Sequence, residues 1–509
     1  MNVGSLLTRH ARYRAGHTAV VADGMRLTFR ELDERVSRLE AGLRSLGLRK
    51  GDKLALILPN CLELLDAYRA GARAGIVLVP LSPLLRGEGL LNLLRDSESQ
   101  AVIACAAVAG ELDSLRAGLP GIPAANYVLV DGDLPGFGTY AELVRDAGSR
   151  PAAPELGDDD PFNIIYSSGT TGLPKGIVHT HYIRALYCSL FAASFRMTPE
   201  SVVLHAGSLV FNGAFVTLMP AWLTGATYIL HRRFDPAAFI ETIVSEKVTH
   251  MIMVPSQIVA LMESPAFTPE RMRSVEMLCT VGAPFHREHK DRLARMIPGA
   301  FYELYGLTEG FVTVLDRDDF PAKPDSVGTP LAFSEMRIVG EDGADLPAGA
   351  PGEIVGRSPL MMPGYYNRPD LTADAIRDGW LHTGDVGFAD EDGFLYLVDR
   401  KKDLILSGGA NVFPRDIEEV LVQHPAVAEA AVFGVPDAKW GEVPMAAVIL
   451  RGDSATAAEI RDWVNERVSA KYQRLREVVV LDDFPRTTAG KTLKRTLRDP
   501  YWAGHGAKI

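Results

Sequence analysis

Through the first 150 residues the apolar positions fall into two rhythms. TAVVA (18–22), KLALILP (53–59) and GIVLVPL (75–81) are short, nearly unbroken apolar runs, and each reads as a strand. Continuous rather than alternating runs predict strands covered on both faces, as in a layered α/β domain. Thr28-Phe29-Arg30-Glu31 has the pattern of a capping box, and Leu32, Val36, Leu39, Leu43 and Leu46 then recur at helical spacing. Residues 61–74 predict a second helix, and the Pro- and Gly-bearing stretch at 80–90 is expected to close the unit.

After a polar, Pro-rich break at 151–160, FNIIY (162–166) reads as a strand running into a glycine-rich turn. Further strands are expected at 201–206, 226–230 and 249–254, separated by segments of helical length. From about 326 the texture becomes short and Gly/Pro-punctuated (EMRIVG, GEIVGRSP, GFLYLVDR), which predicts a small β-rich subdomain. Beyond 399–402 the pattern gives helices at 416–423 and 457–470 and strands at 428–436, 444–450 and 477–485. The expected fold class is α/β. A large layered N-terminal domain (1–399) carries the β-rich subdomain, and a small α+β C-terminal domain (400–509) follows.

With 47% hydrophobic and 23% charged residues in 509, the chain can fill a core, which excludes disorder, coiled coil and collagen-like architectures. Its net charge of −11 argues against nucleic acid as a partner. Four scattered cysteines suggest neither a disulfide framework nor a metal cluster. With no signal-like N-terminus, a cytoplasmic location is expected. The greasiest stretch, 210–230, is broken by Asn212, Gly213, Pro220 and Gly225, so no spanning helix is expected, while peripheral membrane contact stays open.

The strongest local signal is Ser167-Ser168-Gly169-Thr170-Thr171-Gly172-Leu173-Pro174-Lys175-Gly176. Glycines let backbone N–H groups approach an anion, the hydroxyls donate to phosphate oxygens, and Lys175 adds a mobile cation. The spacing fails the ordinary P-loop pattern, because no Gly-Lys pair follows at the right distance. Read alone, the segment is also compatible with a polar surface loop between a strand and a helix.

Further motifs follow in order: GAP (282–284), YGLTE (305–309), GYYNRPDLT (364–372), GWLHTGD (379–385), DRKKDLILSGGANVFPRDIE (399–418) and PRTTAGKTLKR (485–495). Together they resemble the adenylate-forming superfamily of acyl- and aryl-CoA synthetases, firefly luciferase and peptide-synthetase adenylation domains, over nearly the whole chain. The likeness is greatest to an acyl-CoA synthetase. It implies ATP, Mg²⁺ and coenzyme A. A carboxylate attacks the α-phosphorus of ATP, pyrophosphate leaves, a mobile C-terminal domain rotates, and a thiol displaces AMP.

The resemblance also implies roles. Residues 167–176, with Ser167, Ser168, Gly169, Thr170, Thr171, Gly172 and Lys175, cradle the β- and γ-phosphates, Thr308 lies near the α-phosphate and Glu309 holds Mg²⁺. Gly282, Ala283 and Pro284 wall the adenine slot with Glu303, Leu304 and Tyr305, and Asp385 and Arg400 meet the ribose. Lys491 is the catalytic lysine of adenylation, Lys402 the hinge, and Gly408, Gly409 and Ala410 line the coenzyme A channel.

For the acid itself, Val210 stands nearest the position where relatives often carry histidine, and Val281 and Leu304 stand where glycine is common. With Phe211 they form an apolar wall, which favours a fatty or alicyclic acid over a hydroxycinnamate or benzoate. No basic residue stands out as the partner of a second carboxylate. A free carrier protein in place of coenzyme A, and a homodimer, both stay open. Intact Lys491, Glu309 and Asp385 speak against a noncatalytic relative.

Overall fold

The structure, a computed structural model, describes residues 1–145, 154–167, 175–400, 403–407, 410–437, 439–452, 455–486 and 492–503. Two large sheets dominate the first 330 residues, one of nine strands and one of seven. In the second, Lys53–Ile57 lies between Val77–Leu81 and Ala101–Ala104, all parallel. Leu54, Ala55, Leu56 and Ile57 are wholly buried, as an unbroken apolar run requires when helices cover both faces. Thr28 caps the helix Phe29–Ser45 and receives the Glu31 N–H, while the Glu31 carboxylate accepts from the Thr28 N–H at 2.8 Å. That helix buries Leu32, Val36, Leu39 and Leu43.

Two expectations are corrected. The 80–90 stretch does not close a unit, because the seven-stranded sheet continues through Ala101–Ala104, Tyr127–Leu129, Pro161–Ser167 and Lys175–Thr180. The first strand, Thr18–Ala22, leaves that neighbourhood and pairs in parallel with Thr227–Leu230 in the nine-stranded sheet. Both strands are apolar enough to join either sheet, so local pattern carries no record of the choice.

A five-stranded sheet built from 335–400 forms the β-rich subdomain, and another from 405–480 forms the core of the C-terminal unit. There the helix Ala457–Asn465 stops short of the expected 470. The strand Val478–Val480 is shorter than expected, ending where Asp482 and Asp483 turn the chain. Among the described residues no helix is long and apolar enough to cross a membrane.

Several histidines are sealed in these cores. Burial pushes His181, His205 and His289 down to about 4 from 6.5. The unfolded chain therefore binds protons that the folded chain refuses. Their stabilising contribution is complete above about pH 6.5 and is lost as pH falls toward 4, at roughly 3 kcal/mol for each. Thermal midpoints should drop steadily between about pH 7 and pH 5, before most carboxylates titrate. A flat profile over that range would rule out this account.

Candidate active site

Val202–His205, His250–Met253, Met277–Val281 and Phe301–Gly306 are consecutive parallel strands, so their carboxyl ends open on one edge of the nine-stranded sheet. Such an edge is where open α/β sheets receive ligands. From it emerge the 206–213 segment, the exposed Gly282-Ala283-Pro284 turn and the 307–310 turn. Segments distant in sequence, such as those bearing Gly213 and Val281, thus come together because their strands share one sheet.

Tyr305, near the end of Phe301–Gly306, donates its hydroxyl to Asp385 Oδ2 at 2.8 Å. Asp385 lies on Trp380–Ala389 and is in register with Arg400 on the adjoining Leu395–Arg400 strand. Tyr305, Asp385 and the backbone of Arg400 are therefore brought together. Glu303 shares a strand face with Tyr305, but it is only 4% exposed and its carboxylate is paired with Lys290 of the Arg287–Met296 helix. Burial raises the Glu303 carboxyl above its usual range. Its side chain is committed to that helix rather than open to the slot.

The turn bearing Thr308 and Glu309 joins Phe301–Gly306 to the antiparallel Val312–Leu315. Gly310, at φ 112°, lets it press on 360–361, where a Cβ would collide with the Leu360 backbone. The Met362 N–H then donates to the Glu309 carbonyl at 2.9 Å, and the Tyr365 hydroxyl to Glu309 Oε1 at 2.8 Å. His179 Nε2 donates to the Thr308 carbonyl at 2.8 Å. Burial holds His179 well below its ordinary value, so it is neutral there.

His179 belongs to Lys175–Thr180, which pairs antiparallel with Pro161–Ser167, placing Ser167 opposite Lys175. The glycine-rich segment therefore joins two strands of a hairpin, and the helix His181–Ser194 starts only afterwards. Lys175 Nζ lies 4.9 Å from the centre of the Tyr365 ring, and Ile177 bridges to Tyr365 through backbone. Tyr365 and His179 thus tie the hairpin that flanks the glycine-rich segment to the Thr308–Glu309 turn. Sequence reasoning missed both. Tyr365 sat in a quoted motif without a role, and His179 sits in a short mixed run to which the sequence pattern assigns no element.

On the opposite strand face from Tyr305, Leu304 is 6% exposed and in register with Val281. A Cβ added at Gly213 would touch Val281 Cγ1 at 4.0 Å, so the start of the helix Asn212–Thr224 lies over Val281. Phe211 precedes that helix and is half-buried, and Val210 is buried. Ser168, Gly169, Thr170, Thr171, Gly172, Lys402, Gly408, Gly409 and Lys491 lie outside the described residues, and Ala410 enters by its backbone alone.

Residues 7–366 match the AMP-binding enzyme family, and 416–491 match the AMP-binding enzyme C-terminal domain. A feruloyl-CoA synthase from Amycolatopsis sp is 36% identical over 97% of this chain and 98% of its own. A long-chain-fatty-acid–CoA ligase from Mycobacterium tuberculosis is 33% identical over 99% of each. The structure of o-succinylbenzoate CoA synthetase from Bacillus subtilis with its acyl-adenylate intermediate superposes with a TM-score of 0.86 at 30% identity, covering 97% of this chain and 98% of that one. The edge carries the tyrosine of the Tyr305–Asp385 pair and the Thr308–Glu309 turn, which His179 and Tyr365 join to the glycine-rich hairpin. The chain belongs to the AMP-binding enzyme family as an AMP-forming acid–thiol ligase, which joins a carboxylate to coenzyme A through an acyl-adenylate.

Proposed function

We propose that the acid is an aryl carboxylate, of the benzoate or hydroxycinnamate kind, rather than the fatty or alicyclic acid that an apolar wall alone favours. The observation that carries this reading is the register of Val281 with Leu304, roofed by a side-chain-free Gly213. Two branched side chains abreast on one sheet face make a flat wall, and a glycine above it leaves a slot suited to a ring. Feruloyl and o-succinylbenzoyl groups, named for two of the relatives, are aromatic. Coenzyme A is the acceptor in this reading, with a carrier protein as the alternative.

The residue roles form part of the proposal. Tyr305 packs on adenine beside Gly282-Ala283-Pro284, and Asp385, with Arg400, receives the ribose hydroxyls. Lys175, Ser167 and the segment between them hold the terminal phosphates. Glu309 fits a magnesium site: Tyr365 occupies one carboxylate oxygen, and no other protein group competes for the second among the described residues. Those residues contain no cluster of three or more His, Cys, Asp or Glu side chains. A single carboxylate suits Mg²⁺, which keeps waters and takes phosphate oxygens as its remaining ligands. When bound, that ion would neutralise charge on the phosphates. Lys491 reaches the α-phosphate in the adenylating pose, and rotation near Lys402 brings the Gly408–Ala410 side to the thiol.

A panel of carboxylates assayed for ATP- and coenzyme A-dependent thioester tests the reading. Aryl acids should exceed straight-chain acids in kcat/KM. Leu304→Gly should shift the balance toward bulkier rings by roughly 10–200-fold, the worth of one or two methylene-sized contacts. An unchanged ratio with ATP use intact would remove Leu304 from the acyl slot.

A further inference from the structure

Behind the acyl end of the site lies a buried cation with no carboxylate partner among the described residues. Arg184, on the helix His181–Ser194, is 0% exposed, and no carboxylate pairs with it among the described residues. Its Nε and Nη2 donate to Asn163 Oδ1 at 3.2 and 3.1 Å, and its Nη1 to Asn212 Oδ1 at 2.9 Å. The Phe215 and Tyr187 rings pack 4.2 and 4.7 Å from the guanidinium carbon. Burial pushes Arg184 down to about 10. A charge kept in an apolar core with only neutral acceptors is costly, and a core of this size could hold an apolar side chain there at less cost.

What Arg184 does is orient Asn212. A guanidinium only donates, so the Asn212 atom facing it must be the carbonyl oxygen. That turns Nδ2 toward the Tyr187 hydroxyl, to which it donates at 3.0 Å. Asn212 then keeps one N–H, and Tyr187 one O–H, with no acceptor among the described residues. Asn212 is half-buried, and the next residue, Gly213, lies against Val281 of the acyl wall. The Tyr187 ring lies edge-on to His179 with centres 6.3 Å apart, and His179 donates to the Thr308 carbonyl. Asn212 therefore stands beside the acyl wall, and the Tyr187 hydroxyl is joined to it through the Asn212 amide.

We propose that Asn212 and Tyr187, oriented by Arg184, receive an oxygen acceptor at the far end of the acyl substrate. The enzyme then selects acids that carry a hydroxyl or a second carboxylate opposite the carboxylate that reacts. This rests on the aryl-acid reading above and specifies it. A plain apolar ring would seal the two donors away from water with nothing to accept from them, whereas an oxygen satisfies both. Arg184 is a positioning residue, since it acts through Asn212.

The test uses the full enzyme, ATP and coenzyme A with three acids of one aryl skeleton, bearing hydrogen, hydroxyl or carboxylate at the far end. At least one oxygen-bearing acid should exceed the hydrogen-bearing acid in kcat/KM by roughly 10–100-fold, the effect of leaving a buried donor unsatisfied. Asn212→Leu and Tyr187→Phe should bring that ratio toward one, mainly by raising KM for the oxygen-bearing acids. Arg184→Met should do the same, and if it fails to fold the other two variants carry the test. Preference for the carboxylate would mean that the substrate brings the missing counter-charge, and preference for the hydroxyl that a neutral acceptor suffices. A wild-type ratio near one, or a ratio that the variants leave unchanged, overturns the inference while the aryl reading stands. Thioester from straight-chain acids alone overturns the aryl reading and this inference with it.

Discussion

Lys491→Ala should lower the rate of acyl-adenylate formation by roughly 10²–10³, about 3–4 kcal/mol of transition-state stabilisation. Two anions, a carboxylate and a triphosphate, must meet, and negative charge accumulates on the α-phosphoryl oxygens as they do. The residues flanking Lys491 are well anchored. Arg486 is held by Glu429 at 2.9 Å and pairs through backbone with Thr492, and the Leu493 N–H donates to the Pro485 carbonyl at 2.7 Å. On the proposed reading, Lys491 supplies the cation that meets this charge. Thiolation of supplied acyl-adenylate needs no such contact and should be much less affected. ATP–pyrophosphate exchange measures the first step, and thioester formation from acyl-adenylate measures the second. Near-wild-type exchange by the variant would take Lys491 out of the reaction.

How the fold could be read from the chain follows from which constraints are local. The capping box at Thr28 and Glu31 is a four-residue device with its own hydrogen bonds, and it stands where the pattern put it. The unbroken run Leu54–Ile57 signals a doubly covered strand because any polar residue there would face a helix. Which sheet a strand joins is not local. Thr18–Ala22 pairs with residues some 200 positions away, and the match between two apolar edges leaves no mark in either segment. The hairpin around the glycine-rich segment was likewise hidden. KGIVHT is short and mixed, and its identity as a strand rests on pairing with Pro161–Ser167.

The site divides in the same way. Tyr305 and Asp385 were legible because a tyrosine and an aspartate recur in motifs that resemble known ones, and the structure brings them to 2.8 Å. Glu303 was placed at the adenine slot by the resemblance, yet Lys290, thirteen positions earlier, claims its carboxylate in a buried pair. Arg184 was invisible. A lone arginine on a helix ordinarily reads as a solvated side chain, and only the surrounding Asn163, Asn212, Tyr187 and Phe215 reveal that it is buried among neutral partners.

Glu309→Gln should reduce adenylation by roughly 10²–10³, comparable to removing a principal electrostatic contact, while leaving the fold intact. The substitution keeps the shape of the side chain. Its amide oxygen can still accept from the Tyr365 hydroxyl, the Met362 N–H still reaches the residue-309 carbonyl, and Gly310 still seats the turn. What disappears is one negative charge. If that charge holds Mg²⁺, the variant should need far more Mg²⁺ for half-maximal pyrophosphate exchange, and excess metal should restore part of the rate. Tyr365→Phe provides the contrast. It deletes one neutral-to-charged hydrogen bond, worth about 1.5–3 kcal/mol, and loosens the carboxylate without removing its charge. Its loss in rate should be smaller, with little change in Mg²⁺ requirement. Equal Mg²⁺ dependence in the wild type, Glu309→Gln and Tyr365→Phe would mean that Glu309 only anchors the turn, and the metal would then have to be held by phosphates and water alone.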